Sequence, residues 1–155
     1  MKCHDHVRRS PLRLVFGLLA LLLTTTTARA AIPPAERQAL LDLHASTDGV
    51  GWTNSTGWSG DPGTECSWYG VTCDGTQSTV KALGLSVNKL HGTLPSSLGN
   101  LSGLEELELQ LNQLEGSIPS FATNTALRVL LLGENRLSGS IPSFAANTAL
   151  EALGL

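Results

Sequence analysis

Three asparagines recur at a nearly constant interval: Asn88, Asn112 and Asn135 lie 24 and 23 residues apart. Each is the ninth residue of a phrase that has leucine or valine at its first, fourth, sixth and eleventh positions. Complete copies of the phrase begin at Val80, Leu104 and Leu127, and a partial copy begins at Leu150. A fixed period of this length predicts a solenoid in which every repeat forms one coil and stacks on its neighbours.

Each coil continues with a second phrase, L-x-G-x-[IL]-P, which begins at Leu90, Leu114 and Leu137. The leucines of the first phrase are predicted to point inward from a short strand, and the residues between them outward. The asparagine follows where the chain must turn, and its amide can satisfy backbone groups that no strand ladder reaches. The glycine allows neighbouring backbones to approach closely. We therefore expect an α/β-type solenoid whose strands form one parallel sheet on its concave side.

The first thirty residues have the pattern of a secretion signal. Basic residues precede an apolar run of ten, Leu14 to Leu23, and Ala28-Arg29-Ala30 fits the small-x-small cleavage rule. Such a run is too short to span a bilayer, which needs about 20 residues. We predict that residues 1–30 are a signal peptide and that the mature chain is secreted or extracellular (periplasmic or at the cell surface if the host is a bacterium).

Removal of the leader makes the chain strongly acidic. The full sequence has a formal net charge of −3, whereas residues 31–155 contain five basic and twelve acidic residues, a net charge of −7. Nucleic acids and anionic membrane surfaces attract basic proteins, so neither is expected as a partner. No phosphate-cradling loop appears in the sequence, and we expect no cofactor.

Two cysteines, Cys66 and Cys73, remain after the leader. In a secreted chain a single pair most simply forms one disulfide. A structural zinc site would need four ligands, and only His44 and His91 remain to complete one. Because these histidines form no paired cluster with the cysteines, we predict a disulfide and no metal site.

Residues 31–79 do not repeat and are predicted to cap the open end of the solenoid. Pro33-Pro34 precede apolar residues at helical spacing, which indicates one amphipathic helix from Ala35 to about Thr47. The remainder is rich in glycine and contains all three tryptophans of the chain. We expect buried rings and the disulfide, and not regular hydrogen-bonded structure, to hold it together. Tryptophan clusters also bind carbohydrate, but the exposed hydrophobic end of a repeat stack needs a cap, and we favour that role.

The sequence resembles the plant-type class of leucine-rich repeat proteins, whose consensus joins the two phrases described above. Residues 66–73, Cys-Ser-Trp-Tyr-Gly-Val-Thr-Cys, are similar to the C-x-W-x-G-V-x-C end of that class's N-terminal cap. Residues 39–43 and 51–54 are similar to the helix and first loop of the same cap. The class occurs in receptor-kinase ectodomains, receptor-like proteins, polygalacturonase-inhibiting proteins and secreted proteins of microbes and algae. The resemblance implies binding of a peptide, protein or glycan without catalysis.

Residues 80–155 hold three complete repeats and a truncated fourth, with no C-terminal cap, kinase or membrane span in the sequence. About three repeats are the minimum for a stable stack. We therefore expect a binding module that is part of a longer receptor-like or secreted protein. Two alternatives remain: an inhibitor of an extracellular cell-wall hydrolase, and a truncated gene product without function.

The outward strand positions provide the candidate binding surface. One column alternates in charge from strand to strand, and we interpret it as a stabilising ladder. The ladder comprises Lys81, Glu105, Arg128 and Glu151. The rest of the face combines acidic and apolar side chains, which would suit a basic or amphipathic peptide, although an ordinary solvated surface explains them equally. The candidate binding residues are Val87, Glu106, Glu108, Gln110, Leu111, Leu131 and Glu134.

The same carboxylates do not predict an enzyme. Glu105, Glu106 and Glu108 are expected on an open sheet, without a cleft to desolvate them and shift their pKa values. We expect a protein or peptide ligand, with a glycan less favoured. Asn54 and Asn100 begin N-x-[ST] sequons, which are glycosylated only in a eukaryotic host.

Overall fold

A computed structural model of the chain describes residues 31–155, and the predicted signal peptide, residues 1–30, lies outside that range. A single α-helix in these residues, α1, spans Pro34–Ser46, and three short 3-10 helices span Gly49–Gly51, Glu65–Ser67 and Ser96–Asn100. The strands are β1 (Val71–Cys73), β2 (Val80–Gly84), β3 (His91–Thr93), β4 (Glu106–Glu108), β5 (Gln113–Gly116), β6 (Val129–Leu131), β7 (Arg136–Leu137) and β8 (Ala152–Gly154). The helix predicted from Ala35 to about Thr47 is thus present within one residue at each end.

The strands form two sheets. The main sheet has the order β1-β2-β4-β6-β8, and its last four strands are parallel. A second parallel sheet consists of β3, β5 and β7, which carry the L-x-G-x-[IL]-P phrases. The predicted parallel concave sheet is confirmed, and the second sheet was not anticipated.

One expectation about the N-terminal segment is wrong. Regular hydrogen-bonded structure was not expected there, yet β1 pairs antiparallel with β2 and aligns Thr72 with Ala82. The physical reason is that β2 would otherwise leave a row of unpaired backbone groups at the edge of the main sheet. The predicted disulfide, Cys66–Cys73, is confirmed and joins β1 to the preceding 3-10 helix.

The core is a column of leucines that stacks coil upon coil. The nine inward residues of the first three strand phrases are 1% exposed or less, which confirms the predicted inward positions. They are Val80, Leu83, Leu85, Leu104, Leu107, Leu109, Leu127, Leu130 and Leu132. Burial of each such side chain stabilises the fold by about 1.5–3 kcal/mol relative to exposure, so the repeats are held mainly by this column.

The periodic asparagines satisfy backbone groups between coils, as predicted. Asn112 accepts hydrogen bonds from the backbone N–H groups of Asn88 and Leu90, both at 3.0 Å. Its amide nitrogen donates to the carbonyl oxygens of Leu85 and Leu109, both at 2.9 Å. Asn135 repeats this arrangement one coil later, where it accepts from the Leu114 N–H and donates to the Leu109 carbonyl.

A second asparagine ladder lies on the outer side of the solenoid. The Asn124 amide donates to the carbonyl oxygens of Leu98 and Leu101, and the Asn147 amide donates to those of Phe121 and Asn124. Both asparagines are buried, at 0% and 3% exposure. The sequence carried a signal for this ladder, because residues 121–127 and 144–150 share the phrase F-A-x-N-T-A-L.

Helix α1 is attached to the first repeat through a buried carboxylate. Glu36 is only 2% exposed, and it accepts hydrogen bonds from the Thr79 hydroxyl and the Val80 N–H, both at 2.7 Å. Near the other end of the helix, Gly92 has a φ of +118°, and a Cβ there would lie 2.3 Å from the Ser46 carbonyl oxygen. The glycine of the first L-x-G-x-[IL]-P phrase therefore permits close backbone approach, as the pattern predicted.

The three tryptophans form one buried cluster. Trp52, Trp58 and Trp68 are 6%, 8% and 2% exposed. Ring centroids lie 4.8 Å apart between Trp52 and Trp58 and 5.3 Å apart between Trp58 and Trp68. Each indole N–H donates to an acceptor within the chain. Rings buried in this way present no open face on which a sugar could stack, which favours their structural role.

His44 lies against this cluster and should make its stability depend on pH. Its ring is 5.7 Å from Trp58 and 5.1 Å from Trp52, and burial lowers the pKa of His44 below its ordinary value of 6.5. The unfolded chain therefore binds a proton at His44 more readily than the folded chain does. The contribution of the neutral His44 ring to stability is complete above pH 6.5. We expect stability to fall as the pH drops below this value and to level off below the folded-state pKa.

Urea unfolding at several pH values between 8 and 5 measures this effect, with His44→Phe as the reference that retains an aromatic ring. We expect the difference in the free energy of unfolding between the natural chain and His44→Phe to change across this range. A difference that stays constant with pH would show that His44 titrates equally in both states.

Candidate ligand-binding surface

The concave face is the solvent-facing side of the main sheet, and strand register aligns its residues in two rows. The first row runs from Ala82 on β2 through Glu106, Val129 and Ala152. The second row runs from Gly84 on β2 through Glu108, Leu131 and Gly154. Each row therefore passes from a small residue to a carboxylate, then to an apolar side chain, and then to another small residue.

The carboxylates of β4 have no ion-pair partner among residues 31–155. Glu106 is exposed and Glu108 is half-buried, and neither makes a salt bridge in this part of the chain. Their neighbour Glu105 contrasts with them, because it accepts a 2.8 Å hydrogen bond from the Lys81 ammonium. The centre of the concave face thus carries two negative charges that the described residues leave unpaired.

The predicted charge ladder forms two separate pairs. The bond from Lys81, reinforced by its charge, holds the pKa of Glu105 below its usual value. One coil later Arg128 binds Glu151 through two hydrogen bonds of 2.8 and 3.2 Å, which lower the pKa of Glu151 and raise that of Arg128. These pairs support the structural interpretation of the column, and they leave Glu106 and Glu108 as the carboxylates available to a ligand.

A depression of about 230 Å³ lies over β2, between β1 and the carboxylates of β4. We call it the notch. It is lined by Gly70, Thr72, Ala82, Leu83, Gly84, Glu106 and Glu108. The small side chains of β2 create it, and they were missed by the sequence prediction. The outward position of Ala82 and Gly84 could be inferred from strand alternation, but their place beside the glutamates depends on register.

The other predicted site residues lie beyond the strands, at the turn that leads to the asparagines. Val87, Leu111 and Glu134 occupy equivalent positions in successive coils, with positive φ values of 55°, 59° and 56°. Val87 and Leu111 are 66% and 53% exposed. Left-handed backbone is unfavourable for a β-branched residue such as valine. Because Val87 is also exposed, packing in the core does not explain why valine occupies this position. These residues form a partly apolar edge beside the concave face.

The structure therefore divides the seven predicted residues into two groups. Glu106, Glu108 and Leu131 lie together on the sheet, whereas Val87, Leu111 and Glu134 lie along the turn edge. Gln110 is half-buried between the groups, directly before the turn. A further depression of about 260 Å³ is lined by residues of the last described coil, including Leu137, Ile141 and Leu155. Those side chains belong to the stacking surface of the solenoid, and we assign no ligand to it.

The predicted modification sites differ in accessibility. The Asn54 side chain is half-buried, and its oxygen accepts a hydrogen bond from the Thr56 N–H. Asn100 is exposed at the end of a 3-10 helix, on the opposite side of the coil from the concave face. Glycosylation of either residue stays a prediction.

Two further properties concern residues 31–155 only. No group of three or more His, Cys, Asp or Glu side chains in this range is placed to hold a metal ion. Among the helices of the same range, none has the length and apolar character required to cross a membrane.

Comparison with known proteins identifies the family. The Leucine rich repeat N-terminal domain matches residues 33–74, and the Leucine Rich Repeat matches residues 79–101 and 126–147. The LRR receptor-like serine/threonine-protein kinase FEI 2 of Arabidopsis thaliana is 38% identical over 95 residues, which is 59% of this chain and 15% of that protein. The chain therefore spans only a small part of this curated relative.

Solved structures give the same result. The ectodomain of the receptor kinase SOBIR1 from Arabidopsis thaliana superimposes with a TM-score of 0.64 at 29% identity, covering 80% of this chain and 67% of that one. The ectodomain of GASSHO1/SCHENGEN3 from the same plant, solved in complex with CASPARIAN STRIP INTEGRITY FACTOR 2, has a TM-score of 0.66 at 31% identity. That match covers 74% of this chain and 14% of the other. The chain belongs to the plant-type leucine-rich repeat family, and its fold is that of receptor ectodomains.

Proposed function

We propose that this chain is an extracellular recognition module that binds a basic peptide, or a basic segment of a protein, on its concave face and catalyses no reaction. The observation that carries the proposal is the unpaired carboxylate pair, Glu106 and Glu108, at the centre of that face. A surface with two carboxylates outside any salt bridge attracts a cationic partner and orients its approach.

The neighbouring residues supply contacts that a solvated acidic surface would lack. Val129 and Leu131 are half-buried on the strand next to the carboxylates, so part of each side chain is available for apolar contact. Interfaces commonly place such apolar groups beside polar ones, and the apolar groups contribute affinity while the charges contribute orientation and association rate. A ligand with both basic and apolar side chains would use the whole face.

Two further observations support an extracellular site of action. The confirmed disulfide between Cys66 and Cys73 is typical of proteins that fold in an oxidising compartment. The sequence of residues 1–30 has the pattern of a secretion signal. The related ectodomain of GASSHO1/SCHENGEN3 was solved in complex with CASPARIAN STRIP INTEGRITY FACTOR 2, which is consistent with a recognition role for the fold here.

Charge reversal tests the proposal. The full chain, expressed for secretion, is used to select peptides from a random twelve-residue library displayed on phage. We expect the selected peptides to be net basic and to bind Glu106→Lys/Glu108→Lys at least about tenfold more weakly. Binding to the natural chain should also weaken as salt is added, because exposed charges are screened.

The matched control is Asp61→Lys/Glu115→Lys, which changes the net charge equally at two exposed residues outside the concave face. It should retain most of the affinity. Equal loss in both double variants would mean that only net charge matters. Selected peptides that bind Glu106→Lys/Glu108→Lys as well as they bind the natural chain would overturn the proposed site.

A further inference from the structure

The notch exists because β2 has small residues, Ala82 and Gly84, at the positions that pair with Glu106 and Glu108 of β4. A Cβ added to Gly84 would meet no atom within 4 Å, and its backbone does not lie in the left-handed region. No conformational requirement visible in the structure therefore explains glycine at this position. The space above it is open, and a larger residue would fill it without displacing the sheet.

The walls of the notch have the chemistry that a long cationic side chain needs. The glutamates of β4 form one wall, and the exposed Thr72 of β1 adds a hydroxyl on the opposite side. The Ala82 methyl group and the backbone of β2 form the floor, since the Leu83 side chain points into the core. Lysine and arginine side chains lay their methylene stems along apolar surface and keep the charged end at carboxylates or water. The notch, of about 230 Å³, brings the glutamates and the Ala82 methyl group together.

Strand β6, the neighbour of β4, determines which side chains of the protein lie beside the bound cation. Val129 and Leu131 on β6 are in register with the glutamates of β4. Neighbouring strands are about 4.8 Å apart, so the notch extends from its wall on β4, about 4.8 Å from β6, to its floor on β2, about 10 Å from β6. In an extended peptide, residues two positions apart point to the same side at a separation of about 7 Å, which falls between these two distances. A peptide that crosses the strands can therefore reach both places with side chains two residues apart.

Building on the function proposed above, we propose that the notch receives one lysine or arginine side chain of an extended peptide, while the residue two positions away places an apolar side chain on Val129 and Leu131. The recognised pattern is a cationic residue, any residue, and an apolar residue, in either chain direction. Glu106 and Glu108 bind the cation, and the smallness of Ala82 and Gly84 makes room for its stem.

The peptide selection described above supplies the first test. Selected peptides should be enriched in pairs of a cationic and an apolar residue at a separation of two, relative to separations of one and three. Moving the apolar residue of a selected peptide by one position should weaken binding by at least about tenfold, since one of the two side chains then points away from the sheet. Selected peptides that are enriched in cationic and apolar residues without a preferred separation between them would overturn the inference.

Filling the notch supplies the second test. Gly84→Leu should weaken the selected peptide at least about tenfold by occupying the place of the cationic side chain. Gly75→Leu is the control, because a Cβ on Gly75 also meets no atom within 4 Å, and this residue lies in the loop before β2. Circular dichroism and thermal unfolding verify that both variants are folded, and Ala82→Leu replaces Gly84→Leu if the latter is not.

The outcomes separate this inference from the proposed function. If Glu106→Lys/Glu108→Lys abolishes binding while Gly84→Leu and Ala82→Leu leave it unchanged, the acidic face binds peptides but the notch does not. If charge reversal has no effect on binding, the proposed function fails and the notch assignment fails with it. Loss of binding in the notch variants, with retention in Gly75→Leu and a preferred separation of two, supports both.

Discussion

Replacement of Asn112 by alanine is expected to lower the free energy of unfolding by about 3–5 kcal/mol, since it leaves several buried backbone groups without a hydrogen-bond partner at about 1–3 kcal/mol each. The Asn112 side chain accepts from two backbone N–H groups and donates to two carbonyl oxygens, all within 3.0 Å. Those groups belong to its own coil and to the preceding one, and alanine can satisfy none of them. The effect should therefore extend across both coils.

Urea unfolding followed by circular dichroism measures this difference. Asn100→Ala is the matched control, because Asn100 is exposed and its side chain makes no hydrogen bond within residues 31–155. That substitution should change stability by no more than about 0.5 kcal/mol. Equal stability of Asn112→Ala and Asn100→Ala would contradict the assignment of the asparagine ladder as the connection between coils.

Replacement of Trp68 by alanine should lower the free energy of unfolding by about 3–5 kcal/mol, the usual range for removal of a large buried aromatic side chain. Trp68 is 2% exposed, and its ring centroid lies 5.3 Å from that of Trp58. The Arg37 guanidinium lies 5.3 Å from the same ring, and the indole N–H donates to the Thr64 hydroxyl at 3.0 Å. Alanine would leave a cavity in the middle of the N-terminal segment.

Two further variants separate the contributions to this loss. Trp68→Phe retains a ring but removes the hydrogen bond, so a smaller loss of stability is expected than for alanine. Tyr69→Ala removes the neighbouring ring, which is 41% exposed, and should have little effect. If Trp68→Ala unfolded at the same urea concentration as Tyr69→Ala, the cluster would not contribute the stability that its burial implies.

Much of the repeat architecture could be predicted because it depends on local periodicity. Leucines at fixed positions of the phrase had to face inward, and Val80, Leu83 and Leu85 are each 0% exposed. The turn asparagines were predictable for the same reason, since one residue type recurred where the backbone needed both donors and acceptors. The outer ladder of Asn124 and Asn147 carried a weaker signal, because the asparagine recurs in only two coils and the first coil has Leu101 at the equivalent position.

Contacts between distant segments were not predictable from these patterns. Glu36 belongs to an amphipathic helix, in which a glutamate is normally assigned to the exposed face. It is buried because the start of β2 offers the Val80 N–H as a donor. Strand β1 was missed for a related reason, since pairing with β2 depends on how the N-terminal segment folds back, and the sequence of Val71–Cys73 is too short to show it.

The candidate site was predictable only in part. Glu106, Glu108 and Leu131 were predicted from strand alternation, and the structure places them in adjacent positions. The notch depends on the pairing of Ala82 with Glu106 and of Gly84 with Glu108, and thus on the register between strands. Ala82 and Gly84 contribute by being small, so they lack the functional groups by which a sequence pattern indicates a binding residue.

Nuclear magnetic resonance titration of the full chain with a library-selected basic peptide tests whether the ligand binds on the concave face. We expect the largest chemical-shift changes at backbone amides of β1, β2, β4 and β6, the strands that carry the notch, the carboxylate pair and the adjoining apolar residues. Largest changes in residues 31–69, or along the second sheet of β3, β5 and β7, would place the ligand elsewhere and contradict recognition on the concave face.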